Sequence, residues 1–426
     1  MTSSKILLSL VASACVATLS SAMEFQVLGA KAASMGGAGI ATSPSSLAAY
    51  NNPALLANNP EKFTFHLGVG VGAKDTGAGA AAGKLSDMDF SSLNNKDATN
   101  LTTTDIDNLQ KARDIIVGMN GQGFQVNPTA DLGLSIGSFG TGLFVTSDIG
   151  AVANIDQTHK DLIWKQDNGN GTFTYVDIVN SVNVSQATYE STSLQYAVEN
   201  KSTYLDVVGL AVYEIPLAYG YAFDTGLGSL SVGGVLKYMK GKTFYKQMNI
   251  DSDNTTNNLS DNAVDTSTFG IDLGMAFKPD ALRELTLALV GKNLNTPSFD
   301  IAAAAGGGQY EIKPAIRAGL AYHPNSWVEF ALDADLTNNK SLTHYDTRYV
   351  GGGLNFDLSL IELNVGLMKN TASNDQAGLI YTAGIATGPS WLHFELTGQM
   401  ASKSGEVDGT SYPMQAMVNF AISSAW

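Results

Sequence analysis

The chain has 426 residues, 44 of them glycine, is 44% hydrophobic, and sets 24 basic against 39 acidic residues for a net charge of −15. That balance argues against a nucleic-acid surface, which needs a basic face. The only cysteine is Cys15, so a disulfide framework and Cys-based metal chemistry are excluded once the leader is removed.

Residues 1–22 read as that leader, a secretory signal peptide. Lys5 gives the positive start, Ile6 to Leu19 is an apolar run broken by small polar residues, and Ser20-Ser21-Ala22 is a small-x-small cleavage site. The run is shorter than the roughly 20 apolar residues of a spanning helix. Ala12-Ser13-Ala14-Cys15 is a faint rival, a lipoprotein site lacking its usual leucine. No second long apolar run follows, so the exported chain is periplasmic, secreted or an outer-membrane barrel.

Residues 23–60 form the next unit. Gly29 to Leu56 is rich in glycine and alanine, has Lys31 as its only charge, and ends in Tyr50-Asn51-Asn52-Pro53. It lacks strand alternation, and its glycines are too dense for a free helix. Such a segment orders only inside something else, and it is expected to be a plug, or hatch, threaded into a barrel. Gly36, Gly37, Gly39, Tyr50, Asn51, Asn52 and Pro53 carry that motif.

From Lys62 onward the pattern is period two. Phe63, Phe65, Leu67, Val69 and Val71 alternate with Thr64, His66, Gly68 and Gly70, and the alternation resumes from Ala130 and is sustained from Tyr204. Segments of about ten residues, separated by turn residues, are the mark of a transmembrane barrel. Counting gives an all-β fold for 61–426, an antiparallel transmembrane β-barrel of about 14 strands. A soluble sandwich also alternates, but strand length, aromatics near strand ends and the export signal favour the barrel. The end of the chain agrees. Met414, Ala416, Val418, Phe420, Ile422 and Trp426 make one apolar face on a strand ending in an aromatic residue, with Phe420 and Trp426 expected to serve as the signal for the barrel assembly machinery. The location expected is the outer membrane of a Gram-negative bacterium, with its lipid as the first partner.

Short connections such as His323–Ser326, Asp357–Leu360 and Thr387–Ser390 contrast with long polar ones near 73–123, 156–203 and 251–265. Ile106, Leu109, Ile116 and Met119 have helical spacing within the first, and Asn168-Gly169 and Asn170-Gly171 mark a tight turn within the second. The third contains Asp251-x-Asp253-x-Thr255 but lacks the glycine and glutamate of an EF-hand loop, so no metal site is expected.

If the apolar face meets lipid, the alternate residues face the lumen. Asp272, Arg317, Glu329, Asp333 and Asp335 are the main lumen-facing candidates, with Lys237, His323, Glu362, His393 and Glu395 beside them. Charges there stay wet or pair, whereas on the lipid face each costs a few kcal/mol. Ion pairs that stiffen the barrel and anchor the plug are the first reading; a polar track for a solute is the second. No catalytic residues or cofactor are expected: the five histidines show no HExxH pairing, no serine sits in a G-x-S-x-G frame, and Gly36-Gly37-Ala38-Gly39 has no following Lys-Ser/Thr. His393 with a serine, as in an outer-membrane lipase, is the weakest alternative.

Ala32-Ala33-Ser34-Met35-Gly36-Gly37-Ala38-Gly39, followed by Ser46-Leu47-Ala48-Ala49-Tyr50-Asn51-Asn52-Pro53-Ala54-Leu55, resembles the N-terminal region of FadL/TodX-like outer-membrane proteins. Glu214–Leu217 and Ser231–Tyr238 are also similar to that family. Val290–Pro297, Leu332–Leu336 and Asn364–Asn370 resemble more closely its conjugal-transfer TraF-type subgroup. The resemblance covers most of the mature chain and implies passive uptake of hydrophobic small molecules. They would be captured at an extracellular groove and released through a gap in the wall as the hatch moves. A structural or interaction role in the envelope, conjugation included, is the alternative it leaves.

Overall fold

Alternation of apolar and polar side chains gives a strand one dry and one wet face, and such strands satisfy every edge by closing on themselves. The computed structural model describes residues 24–426 apart from 89–92, 94–95, 250–262, 304–306, 342, 344, 373–374, 390 and 408. The signal-peptide reading of 1–22 and most of the loop expected at 251–265 therefore lie outside the described residues.

Fourteen strands pair in chain order and close into a barrel. They are β1 (Phe63–Asp75), β2 (Gly123–Ile136), β3 (Phe139–Asn154), β4 (Tyr204–Asp224), β5 (Gly228–Asn249), β6 (Val264–Pro279) and β7 (Leu285–Lys292). The second half comprises β8 (Ala315–Asn325), β9 (Val328–Asp335), β10 (Tyr349–Asp357), β11 (Ile361–Asn370), β12 (Leu379–Thr387), β13 (His393–Ala401) and β14 (Gln415–Ala425). Closure is antiparallel between β1 and β14, with Val69 opposite Phe420. Trp426 extends that seam, its carbonyl accepting from Lys62 N–H at 2.9 Å and its own N–H donating to Phe63 O at 2.9 Å.

The outward face is apolar. Leu67, Val69 and Val71 on β1, Ile215 and Leu217 on β4, Leu332 on β9 and Val365 on β11 are exposed, while His66, Glu214, Asp333 and Asn364 between them are buried. All six connections at one end are short (137–138, 225–227, 280–284, 326–327, 358–360 and 388–392), and the others gather at the opposite end. Exposed Phe139, Tyr221, Phe223, Trp327, Trp391 and Trp426 ring the short-turn end.

The long-connection end carries structure of its own. Helix α3 (Ala78–Ser86) and helix α4 (Thr103–Gly118) lie between β1 and β2, and α4 starts with a capping box in which Thr102 and Asp105 satisfy each other's N–H groups. Between β3 and β4 a three-stranded sheet (Ile163–Asp167, Phe173–Asp177, Val182–Val184) precedes α5 (Gln186–Thr192) and α6 (Leu194–Glu199). Gly169 and Gly171, both with positive φ, turn the first hairpin of that sheet.

Three expectations change. Strands β4 and β5 are 21 and 22 residues long rather than about ten, because they rise past the apolar band and wall the long-connection end. Residues 73–75, 123 and 264–265, read as loop, belong to β1, β2 and β6. Met414 does not join the outward face; it precedes β14 and is buried with Tyr349, Met368 and Ile380.

Residues 24–59 run inside this wall. Two short helices, α1 (Ala30–Ser34) and α2 (Ser45–Asn51), lead to a 3-10 turn at Pro53–Asn58 that passes into β1 at the short-turn end. Leu28, Met35, Ile40, Leu47 and Leu56 are all fully buried. Leu28, Leu47 and Tyr50 pack on Phe144 of β3, Leu56 packs on Ala218 and Val235, and Ile40 joins Ala288, Val290 and Ala321.

Candidate functional site

The inner face around residues 24–59 is where charge, cavities and chain contacts meet. Lys31, the only charge between Gly29 and Leu56, lies 2.8 Å from Glu329 Oε2. Thr42 donates to the other oxygen of Glu329, and His323 Nε2 sits 3.2 Å from Oε2, beside Lys31. Asp333, two residues along β9, accepts the N–H groups of Gly39 at 2.8 Å and Ile40 at 3.1 Å on a single oxygen. A carboxylate taking two backbone N–H groups is a strong, charge-assisted anchor.

Arg317 on β8 completes this wall. Its Nε donates to Asp335 Oδ1 at 2.7 Å, its other nitrogens reach Gly37 O and Phe25 O at 3.4 Å, and its guanidinium covers the Phe25 ring at 4.1 Å. Asp335 also accepts from Tyr349 N–H at 2.8 Å. Arg317, Glu329, Asp333 and Asp335 therefore stand together on β8 and β9. Asp272 stands apart on β6, accepting Asn293 N–H at 2.7 Å and pairing with Lys237 at 3.0 Å.

Across the lumen the contacts to α1 are neutral. Thr382 Oγ1 donates to Ser34 O at 2.6 Å and accepts Gly36 N–H at 3.0 Å, Thr397 donates to Ala30 O at 2.8 Å, and Gln399 to Ala33 O at 2.8 Å. Gly36 has φ +69, and inward Gly351 lies so close to it that a Cβ there would strike the Gly36 carbonyl.

The Asn51-Asn52-Pro53 turn is tied by its own side chains. Asn51 Nδ2 donates to Leu28 O at 3.1 Å and Ser43 Oγ at 2.8 Å, while Asn52 Nδ2 donates to Ile40 O at 2.8 Å and Met275 O at 3.3 Å. Asn52 Oδ1 accepts Ala54 N–H at 3.1 Å, capping the 3-10 turn. Inward Gly220, Gly233 and Gly274 face Pro53 and its neighbours across gaps too small for a Cβ.

Two features were not read from the sequence. Glu214 shares Lys237 with Asp272, at 3.1 Å, so the three make a buried triad on β4, β5 and β6. Lys292, at the end of β7, holds its Nζ 3.2 Å from the Tyr50 ring centroid and 5.0 Å from that of Phe25. Both depend on strand register, which local alternation does not fix. His393 lies opposite Ser423, but the serine hydroxyl donates to Glu395 at 2.6 Å. Among the described residues no three His, Cys, Asp or Glu side chains form a metal-holding group.

Two cavities border these elements, and a third lies beyond them. The first, about 90 Å³, lies between residues 24–27, Gly36 and Gly37 and a wall including Gly72, Lys74, Thr129, Tyr349, Met368 and Gln399. A second, about 240 Å³, lies nearer the short turns between Lys31, Thr42 and Pro44 and a wall including Glu362, His393, Glu395, Thr397 and Ser423. On the long-connection end, Leu109, Leu162, Ile163, Trp164, Ile178, Leu194 and Val198 line an apolar groove of about 320 Å³, with Asp161 and Gln195 its only polar members.

Among solved structures the chain is similar to the Pseudomonas putida toluene transporter TodX (13% identity, 95% of this chain and 99% of that chain, TM-score 0.51). It is similar also to the CymD monoaromatic hydrocarbon channel (13% identity, 95% and 99%, TM-score 0.50) and to a Pseudomonas aeruginosa FadL homologue (11% identity, 96% and 99%, TM-score 0.44). At such identity the first two likenesses concern the fold, a barrel of the FadL and TodX type. No curated protein matches the chain by sequence. The family model described as "F plasmid transfer operon, TraF, protein" matches residues 49–335, from the Tyr50–Pro53 turn to the Arg317–Asp335 wall. That span is more than half of the chain, which therefore belongs to the TraF family of the F plasmid transfer operon.

Proposed function

We propose that this protein is an outer-membrane channel through which hydrophobic small molecules enter a Gram-negative cell, with residues 23–60 as its hatch. The apolar groove at the long-connection end carries the proposal. Four half-buried apolar side chains, Leu109, Leu162, Trp164 and Val198, line one cleft over a floor of buried Ile163, Ile178 and Leu194, on elements the barrel does not need for closure, and suit capture of a small apolar molecule. TodX and CymD, whose printed descriptions name toluene and monoaromatic hydrocarbons, share the fold and make that chemistry the first to try.

From the groove a molecule would pass to the cavity beside residues 24–27 and onward once the hatch shifts. The hatch is suited to moving because, beside its apolar packing, its polar wall contacts are discrete hydrogen bonds and two ion pairs, Lys31–Glu329 and Glu24–Lys74, set over small residues. Gly36, Gly37 and Gly39 bring its backbone against β8 to β12, and Tyr50, Asn51, Asn52 and Pro53 fix its exit. The exposed apolar band and its aromatic rim support lipid as the first partner, and the Phe420–Trp426 strand supports recognition by the barrel assembly machinery. In this reading the protein transports and does not catalyse.

The test is uptake of labelled toluene into vesicles containing the full chain. Replacing half-buried Leu162 and Val198 by aspartate should lower uptake several-fold while the barrel still forms. Unchanged uptake would refute capture at the groove. A second reading, contact between cells during plasmid transfer through the 155–203 connection, is favoured by the family description alone. Deleting that connection would then abolish mating yet spare uptake.

A further inference from the structure

The inner face of β1, β2, β13 and β14 differs from the wall around it. On β1 the inward positions Gly68, Gly70 and Gly72 carry no side chain, and neighbouring polar groups lean into the space. A Cβ on Gly70 would lie 2.8 Å from Thr129 Oγ1 and 2.9 Å from Asn419 Nδ2, and one on Gly68 2.7 Å from Asp131 Oδ1. Strand register places Thr397, Asn419, Gly70, Thr129 and Thr146 at one level round the wall. The next levels toward the short turns hold Glu395 and Asp131, then His393, Ser423 and His66.

Most of these polar atoms have no hydrogen-bonding partner in the protein. Both amide atoms of Asn419 and the hydroxyls of Thr129 and Thr146 are buried without a hydrogen-bonding partner, and Asp131 and His66 have only each other, Nε2 lying 3.1 Å from Oδ2. Asn419, His66 and Thr146 are 1% exposed and Asp131 2%. Buried polar groups left unpaired cost about 1–3 kcal/mol each, so a cluster of them implies that something polar occupies the space. Residues 24–59 do not: their polar contacts to β1 and β2 fall above and below this row, at Glu24–Lys74 and Asn59–Ser135.

The level of Asn419 also separates the two lumen cavities. Thr129, Met417 and Gln399 border the upper one, and Thr397 and Ser423 border the lower. On β13 the step from one to the other is a single inward residue, Gln399 to Thr397.

We infer that a hydrophilic file runs past the seated hatch along β1, β2, β13 and β14, joins the two cavities, and passes water and small cations. Its sign follows from its lining. Asp131 and Glu362 lie beside His66 and His393, and Glu395 meets the Ser423 hydroxyl. Lys31, Lys74 and Arg317 are each paired, with Glu329, Glu24 and Asp335, so the lining stays net acidic, and acidic linings select cations. The inference rests on the barrel spanning a membrane and not on uptake of hydrophobic molecules.

The test holds the hatch in place while ion current is measured. A Cβ on Gly140 would lie 3.1 Å from Ala49 Cβ, a few tenths of an ångström inside the roughly 3.5–4.5 Å of a disulfide, so an A49C/G140C pair locks α2 to β3 after a small outward shift. In planar bilayers with potassium chloride, the oxidised full chain should carry a small steady current whose reversal potential reports preference for potassium. Asn419→Leu should cut that current about tenfold by drying the constriction, and Gly70→Val, which suits a strand, should do the same. Heat-modifiable migration on gels shows that each variant has formed its barrel, and toluene uptake in the reduced protein should stay unchanged. An oxidised barrel that carries no current, a preference for chloride, or a current indifferent to both substitutions overturns the inference. Loss of toluene uptake alone would strike the proposed transport and leave the file standing.

Discussion

Asp333 shows what one residue contributes to holding the segment 24–59 against the wall. Its Oδ2 accepts both Gly39 and Ile40 N–H groups, so Asp333→Asn keeps the shape but removes the charge that strengthens both bonds. The expected cost is about 1–3 kcal/mol of local stability. Hydrogen exchange at those two amides should quicken by about tenfold or more, since each 1.4 kcal/mol is a factor of ten; unchanged exchange would remove Asp333 from the anchor. Its inward direction was legible from the period-two pattern of Trp327 to Leu336. Its partners were not, because Gly39 lies nearly three hundred positions away in a segment with no period.

A second residue sets pH sensitivity outside the barrel. Partial burial opposes the charge on Asp156. The Thr158 hydroxyl at 2.6 Å and amide at 2.9 Å, with Ser202 and His159, outweigh it and hold the carboxyl well below the usual range. A lowered folded-state pKa adds stability above the ordinary aspartate value of about 3.9, lost as pH falls below it. Acidification from about pH 5 to pH 2 should therefore speed proteolysis within 155–203. Asp156→Asn should flatten that dependence.

At the scale of elements, the segment 24–59 is fitted to the wall by subtraction. Gly220, Gly233 and Gly274 on three adjacent strands leave room for the Pro53 turn, and Asn52 fastens it to Met275. Gly233→Leu should push the turn off the wall and raise protease cleavage within 24–59, whereas the same change at outward Gly234, whose added Cβ would meet only Leu273, should not. Equal cleavage in the two variants would refute the close fit. Reading these glycines as contact points needs strand register, which alternation sets only modulo two. The sequence did mark the Tyr50–Pro53 turn itself, since Asn-Pro breaks local conformation wherever it falls. It marked α4 through its helical spacing, but not the rise of β4 and β5, whose upper halves mix polar and apolar residues.

For the molecule as a whole, closure and face were the legible part. Fourteen strands with an apolar outside follow from alternation, turn spacing and a terminal strand ending in Trp426. The Lys237–Glu214–Asp272 triad and the unpaired row around Asn419 did not follow, because each joins residues that only register brings level. If the outward face meets lipid, Leu332→Arg near the middle of β9 should cost about 2–4 kcal/mol of barrel stability in vesicles. Titration with urea checks this, and a neutral result would deny the lipid-facing band.

The central claim is that hydrophobic molecules cross only when residues 23–60 move. Toluene flux into vesicles carrying the A49C/G140C chain tests it directly. With the disulfide formed, flux should fall to that of protein-free vesicles, and reduction should restore it. Equal flux before and after reduction would contradict a moving hatch.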